Sequence, residues 1–406
     1  MATLARVVNF GIPKVPEIVG LMCVAQRHKS TSITTTNYKR GTGGRSSFNG
    51  SVVTVFGAKS SLGYIVVNKL GKVGSQVICA YRGDPYYMRD FKLMGDLGQI
   101  LFAEIDLRDE DSLRRAMQYS NVVINLIGNN IETKNFTFHD VHVTGAQTIA
   151  RLAKEYDVEK FVHISALNAG KETSNIYKGG SKFLKAKLEG EQAVREEFPE
   201  AIIFRPSDMI GLNDRFSEHF TAPYRTRFKL GAIPARPLFY RRLGLWKNGQ
   251  ETVKMPVKRE DVALAIVNAL KDPEAAGKTF QAVGPYAYTL SDLVDYIFRC
   301  KNIDRPISGN IGKDKRVVWL TEMIYKYRGF PHPKFTSDVF ERETITDTLD
   351  PELPTIEDLG VSPVSMEECL DYTYRPLRHY GDTCFRLDWA TDPGKLSPLF
   401  PTLQNA

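Results

Sequence analysis

Gly57 and Gly63 stand six residues apart in G-A-K-S-S-L-G, directly after the β-branched run Val52–Phe56. This is the outer spacing of a G-x-x-G-x-x-G turn, where backbone N–H groups and a helix N-terminus can meet a pyrophosphate and the helix dipole favours negative charge. Ser60 replaces the middle glycine: its side chain would crowd a phosphate, yet its hydroxyl could donate to one. Ser61 and Leu62 complete the turn. The chemistry offered is dinucleotide binding; a βα turn without a ligand is the alternative, and spacing alone leaves both open. Arg82 ends the next apolar run, where NAD-selective sites carry an acid for the ribose 2′-hydroxyl. An arginine there suits a 2′-phosphate, so NADP(H) is expected over NAD(H), against a plain solvated side chain. Asp106-Leu107 after the third run either face the adenine or simply open the following helix. His139 and His142 stand three apart, but only Asp140 accompanies them, so no metal is expected.

The elements that must position these residues alternate. After Val52–Phe56, the residues Leu62, Val66, Leu70 and Val73 recur at helical spacing, with Gly71 and Gly74 as stop signals. Further strands are expected at Val77–Tyr81, Ile100–Ile105, Val122–Ile127, Phe161–Ile164 and Ala201–Phe204, six in all. Between them, Asp109 is a plausible cap for a helix carrying Leu113, Ala116 and Met117, and Val141, Gly145, Ile149, Leu152 and Tyr156 share one helical face. Near-continuous apolar strands alternating with amphipathic helices imply an α/β fold with a parallel sheet covered on both faces, doubly wound in the Rossmann manner. We expect this domain over 51–210 and a smaller irregular α/β domain over 211–406, with return segments to the first.

Composition sets the outer bounds. Of 406 residues, 42% are hydrophobic and 25% charged, which excludes collagen-like, coiled-coil and wholly disordered classes. The apolar stretch Ile18–Ala25 falls far short of the roughly 20 residues a membrane span needs. The five cysteines are scattered without a C-x-x-C, which points to reduced, isolated thiols. Before Asp84 the only acidic residue is Glu17, against eleven lysines and arginines, and 30–36 read S-T-S-I-T-T-T. Basic, Ser/Thr-rich and acid-poor is the composition of a mitochondrial transit peptide, expected over 1–36 with a basic arm over 37–50. Between His219 and Gln250 no acid occurs, while seven basic residues, among them Arg225, Arg227, Arg241 and Arg242, interleave with aromatics such as Phe220 and Trp246. That chemistry suits an anionic lipid surface, such as a cardiolipin-rich one, or a partner subunit; a solvated loop is the alternative, and no nucleic acid is expected.

The order of the glycine turn, Y-R, D-L-R-D, N-L-I-G, F-V-H-I-S, R-P-S-D and P-V-x-x-x-D-V-A resembles the atypical, extended short-chain dehydrogenase/reductases. M-G-D-L-G-Q-I-L-F, E-T-K-N-F, F-P-E-A-I-I and L-P-T-I-E-D-L-G look closer still to members of that family that are accessory subunits of mitochondrial complex I. The resemblance covers roughly residues 40–380. It implies a subunit on the matrix side of the inner membrane, other complex I subunits as partners, and tightly held NADPH rather than FAD. It adds Leu126, Lys187 and Pro206 to the nucleotide-binding set. Active relatives use a serine near the end of strand five and a Tyr-x-x-x-Lys, whose spacing sets tyrosine and lysine on one helical face. The tyrosine transfers the proton and the lysine lowers its pKa. Here Phe183-Leu-Lys-Ala-Lys187 keeps the lysine and replaces the tyrosine, while Ser165 stands at the strand end. A phenylalanine has no proton to transfer, so a pseudo-enzyme is expected, with Lys187 on the ribose or merely solvated. Two other readings compete: an active NADPH-dependent reductase or epimerase, and a nucleotide-gated interaction protein outside complex I.

Overall fold

The computed structural model describes residues 47–171, 175–176, 179–211, 214–225, 242–301, 307–310, 323, 336–370 and 394–402. The expected transit peptide and most of the arm lie outside these residues, as does much of the basic–aromatic segment.

Six strands form where the apolar runs predicted them: β1 (Val52–Phe56), β2 (Gln76–Tyr81), β3 (Ile100–Glu104), β4 (Val122–Asn125), β5 (Lys160–Ile164) and β6 (Ile202–Pro206). Four short strands follow, β7 (Met209–Ile210), β8 (Arg242–Leu245), β9 (Val253–Lys254) and β10 (Val257–Lys258), before β11 (Thr279–Ala282). The main sheet has seven strands in the order β11-β6-β5-β4-β1-β2-β3. The seventh was not anticipated. β11 lies parallel to β6, with Phe280 opposite Phe204, so the second half of the chain completes the sheet begun by the first.

The helices of this body are α1 (Ser61–Val73), α2 (Glu110–Met117), α3 (Gly145–Glu155) and α4 (Lys182–Glu197). α5 (Arg215–Arg225), α6 (Arg259–Ala269), α7 (Leu290–Cys300) and α8 (Ser337–Glu343) follow. Both sheet faces are covered, which is why the strands read as unbroken apolar runs. Val53 and Val55 pack into a core with Leu62, Val66 and Leu70 of α1 and with Val262 and Ile266 of α6. Phe56 points the other way, into a core with Leu113 of α2, Ile149 of α3 and Val194 of α4. Each fully buried aliphatic or aromatic side chain of this kind contributes about 1.5–3 kcal/mol.

Two boundary signals resolve differently. Gly74 ends α1 with φ at 86°, as expected, but Gly71 lies inside the helix. A Cβ there would sit 2.4 Å from the Met94 carbonyl oxygen, so this glycine permits a close approach and is no stop. Asp109 does cap α2, accepting from the Asp111 N–H at 3.1 Å. The segment ahead of α3 enters as a π-helical turn, Asp140–Thr144, before regular helix begins.

The smaller lobe holds β12 (Tyr286–Thr289), β13 (Ile307–Asn310) and β14 (Phe400–Pro401). Its core sets Tyr296 and Ile297 of α7 against Met366 and Leu370. Within 336–347, Phe340, Glu341, Ile345 and Asp347 are all buried. No helix among the described residues is long and apolar enough to cross a membrane.

Candidate nucleotide site

The sequence-predicted residues converge at the carboxyl ends of the parallel strands, where doubly wound sheets bind their ligands. Gly57 has φ at 79°, and a Cβ on it would meet the Leu126 carbonyl carbon and oxygen at 2.9 Å. At Gly63 a Cβ would sit 2.5 Å from the Ala58 oxygen. Neither position accepts a side chain, so the chain turns tightly enough for α1 to start beneath the opening. Ser60 solves the problem of the missing glycine by facing inward along the helix. Its hydroxyl caps α1, accepting from the Gly63 N–H at 3.0 Å. The first-turn N–H groups of Ser61 and Leu62 have no carbonyl partner one turn earlier within the helix. They remain the natural donors to an anion.

Arg82 is exposed just beyond β2, its guanidinium carbon 5.2 Å from the Phe136 ring centre. Arg108 stacks on the same ring at 4.5 Å. Asp106 accepts from the Arg108 N–H at 3.0 Å, and Leu107 packs beneath the start of α3, 3.3 Å from where a Gly145 Cβ would stand. Both therefore have a local structural task. Leu126 follows β4 with its N–H on the Phe56 oxygen at 2.9 Å, and Pro206 ends β6, its oxygen accepting from Leu167.

The far end is buried and mostly side chain. Lys187 reaches across from α4 and donates to the Ile164 oxygen at 2.9 Å. Burial pulls its pKa down to about 8, with Glu191 opposing. The lysine is therefore neither solvated nor idle. His142 hydrogen-bonds the Asn129 oxygen through Nε2 at 2.9 Å, and its other nitrogen, Nδ1, is buried without a protein partner. His163 has the same pattern: Nδ1 meets Asn125 at 3.3 Å and Nε2 is orphaned. Desolvation first, then the Lys187 charge, pushes both imidazoles down to about 3, so both are neutral near pH 7. The Ser165 hydroxyl is also buried without a protein partner. Orphaned buried polar atoms at the mouth of a parallel sheet fit a polar ligand or ordered water.

Phe183 sits where the proton donor would stand. Its ring meets His142 edge-on at 5.1 Å and Phe138 at 5.7 Å. Arg342, brought in by α8, lies over that ring at 4.3 Å, pairs with Asp338 at 3.2 Å and donates to the Asn130 oxygen at 3.0 Å. The site thus combines a tight main-chain turn at one end with an aromatic ring under a guanidinium at the other. Local sequence patterns gave no sign of Arg342, which arrives from far along the chain. His139 and His142 do not converge on a common ligand: His139 contacts the Thr144 hydroxyl at 3.4 Å, and no cluster of metal-ligating side chains occurs among the described residues.

A family model described as the NAD dependent epimerase/dehydratase family matches residues 53–282. The chain is 47% identical over 332 residues, 80% of each chain, to the Mus musculus protein named NADH dehydrogenase (ubiquinone) 1 alpha subcomplex subunit 9, mitochondrial. It is 34% identical over 357 residues to the Neurospora crassa NADH-ubiquinone oxidoreductase 40 kDa subunit, mitochondrial, covering 85% of this chain and 84% of that one. Among solved structures, the dTDP-glucose 4,6-dehydratase DesIV of Streptomyces venezuelae, with NAD and TYD bound, shares the fold with TM-score 0.56 at 16% identity, over 81% of this chain and 97% of that one. The chain therefore belongs to the NAD dependent epimerase/dehydratase family and, more narrowly, to the family of the mitochondrial alpha subcomplex subunit 9 proteins.

Proposed function

We propose that this chain is a non-catalytic accessory subunit of mitochondrial complex I, on the matrix side of the inner membrane, that holds NADPH as a structural group and supports assembly of the complex. The observation that carries the reading is Phe183 under Arg342: the ring at the proton-donor position carries no hydroxyl proton to transfer, and a guanidinium lies over it at 4.3 Å. The names of the two relatives supply the complex. NADPH, when bound, would supply a hydride donor, but here its value is stability. A ligand present at 1,000 times its dissociation constant adds roughly 4 kcal/mol. The Gly57–Gly63 turn, with Ser60, Ser61 and Leu62, would take the pyrophosphate and Arg82 the 2′-phosphate. Lys187 would take the nicotinamide ribose, while Asp106, Leu107, Leu126 and Pro206 would line the groove. In this reading the basic–aromatic residues 219–250 dock against other subunits or an anionic, cardiolipin-containing surface.

Denaturing the native protein should release about one NADP(H) per chain and little NAD(H). Arg82→Asp should lower retention of NADP(H) at least tenfold by placing a carboxylate against the 2′-phosphate. A native protein that is empty yet fully stable overturns the reading. One observation favours the competing reductase: Lys187 and the orphaned Ser165 hydroxyl are both in place. Steady oxidation of NADPH by a carbonyl substrate would decide for it.

A further inference from the structure

The segment Thr336–Asp350 touches every loop around the far end of the groove. After β4, the Asn130 oxygen accepts from Arg342. After β5, the Asn168 amide donates to Asp347 at 2.7 Å. Ahead of α4, the Asn175 and Ile176 N–H groups donate to the two oxygens of Glu341 at 2.6 and 3.0 Å. The Asn175 side chain reaches the Thr344 hydroxyl at 3.0 Å. The Ser181 hydroxyl and the Phe183 N–H share one oxygen of Asp338 at 2.9 and 3.3 Å. After β6, the Ser207 hydroxyl donates to the second oxygen of Asp347 at 2.7 Å. Beneath these bonds Ile345 packs with Phe138, Phe183 and Leu184. By contrast, the hydrogen bonds that shape the Gly57–Gly63 turn are local, within 57–64.

We infer that residues 336–350 form a strap that retains the nucleotide by tying together the loops after β4, β5 and β6 and the start of α4 over its nicotinamide half. The inference rests on the nucleotide reading above. Its physics is specific. Three carboxylates, Asp338, Glu341 and Asp347, each accept from groups on the loops, and charge-assisted bonds of this kind are the strong ones. For the nicotinamide half to leave, the loops must part, and these bonds must break together. The phosphate half is held by backbone that the strap does not touch. The strap therefore governs the rate of release of a whole dinucleotide and leaves a ligand confined to the adenosine end unaffected.

The test uses the full chain and Glu341→Gln, which weakens both N–H bonds at the start of α4, with Thr344→Val as the milder companion should the first fail to fold. The variants are loaded with radiolabelled NADPH and chased with excess unlabelled NADP⁺, and release is followed by label retained on the protein. The same chase is run on radiolabelled 2′,5′-ADP, which lacks the nicotinamide half. The expected result is release of NADPH at least tenfold faster for Glu341→Gln and at least twofold faster for Thr344→Val, with unchanged release of 2′,5′-ADP. Unchanged NADPH release from folded, loaded variants overturns the strap alone. Equal acceleration of both ligands also overturns it, since that is general loosening. A wild-type chain that takes up neither ligand overturns the nucleotide reading and the strap with it.

Discussion

At the Gly57–Gly63 end of the groove the shape comes from main chain: the two glycines leave no room for a Cβ, and even Ser60 turns its hydroxyl back to cap α1. At the far end the shape comes from side chains: Phe183, His142 and Lys187 packed together, with Arg342 laid on the ring. The two ends therefore respond differently to sequence change. A backbone cradle is lost only by putting atoms where none fit. A proton-transfer site is lost when one hydroxyl goes, and here Phe183 stands four residues before Lys187 with Arg342, from a distant segment, over its ring. In the proposed reading, binding and chemistry are separable because different parts of the chain would carry them.

Three experiments press on that contrast. The largest effect should come from Gly63→Val, whose branched side chain would collide with the Ala58 and Gly57 oxygens. We expect a loss of about 3 kcal/mol or more, with loss of retained nucleotide, read by denaturant unfolding and by the nucleotide released. A stable, loaded variant would break the claim that backbone shape governs this end. A smaller effect concerns pH. His142 and His163 take protons near pH 6.5 in the unfolded chain but not until about 3 in the folded one. Between these values the unfolded state binds more protons, so stability falls as pH drops from about 6.5 and levels off below about 3. The loss should be on the order of a few kcal/mol and should shrink in the double variant His142→Asn, His163→Gln. If the stability–pH curves of variant and wild type coincide, the two imidazoles are not desolvated by burial in the way described. The smallest effect is expected from Phe183→Tyr. It restores the hydroxyl four residues before Lys187, yet Arg342 still covers the ring, so turnover with carbonyl substrates should stay at background and stability should change by less than about 1.5 kcal/mol. Appreciable turnover would show that one side chain alone silences the site.

How much of this was legible depends on how local the cause is. The six strands and the β1–α1 turn follow from short apolar runs and glycine spacing, and they form where expected. The pairing of Phe183 with Lys187 follows from four-residue helical spacing. Ser60 was half legible: its position was clear, but its choice between ligand and helix cap depends on a side-chain rotation that sequence does not specify. β11 was missed because T-F-Q-A is short and carries little pattern, and its strand character comes from the free edge of β6. The strap was invisible for a stronger reason. Ile176 and Glu341 lie 165 residues apart, and no periodicity in either neighbourhood anticipates the other.

The late strand also bears on how the chain comes to be folded at all. β6 and β11 pair although about 75 residues separate them, so a large loop must close before the sheet is complete. Pairings of such high contact order form slowly. Until Thr279–Ala282 has been made and delivered, Ile202, Ile203 and Phe204 present an apolar strand with one unpaired edge, the kind of template on which other chains add. A nascent molecule therefore passes through a stage in which β6 has formed but its free edge, still waiting for β11, is adhesive. Chains cut short before β11 are stranded at that stage, good substrates for chaperones and proteases, whatever the state of their nucleotide groove.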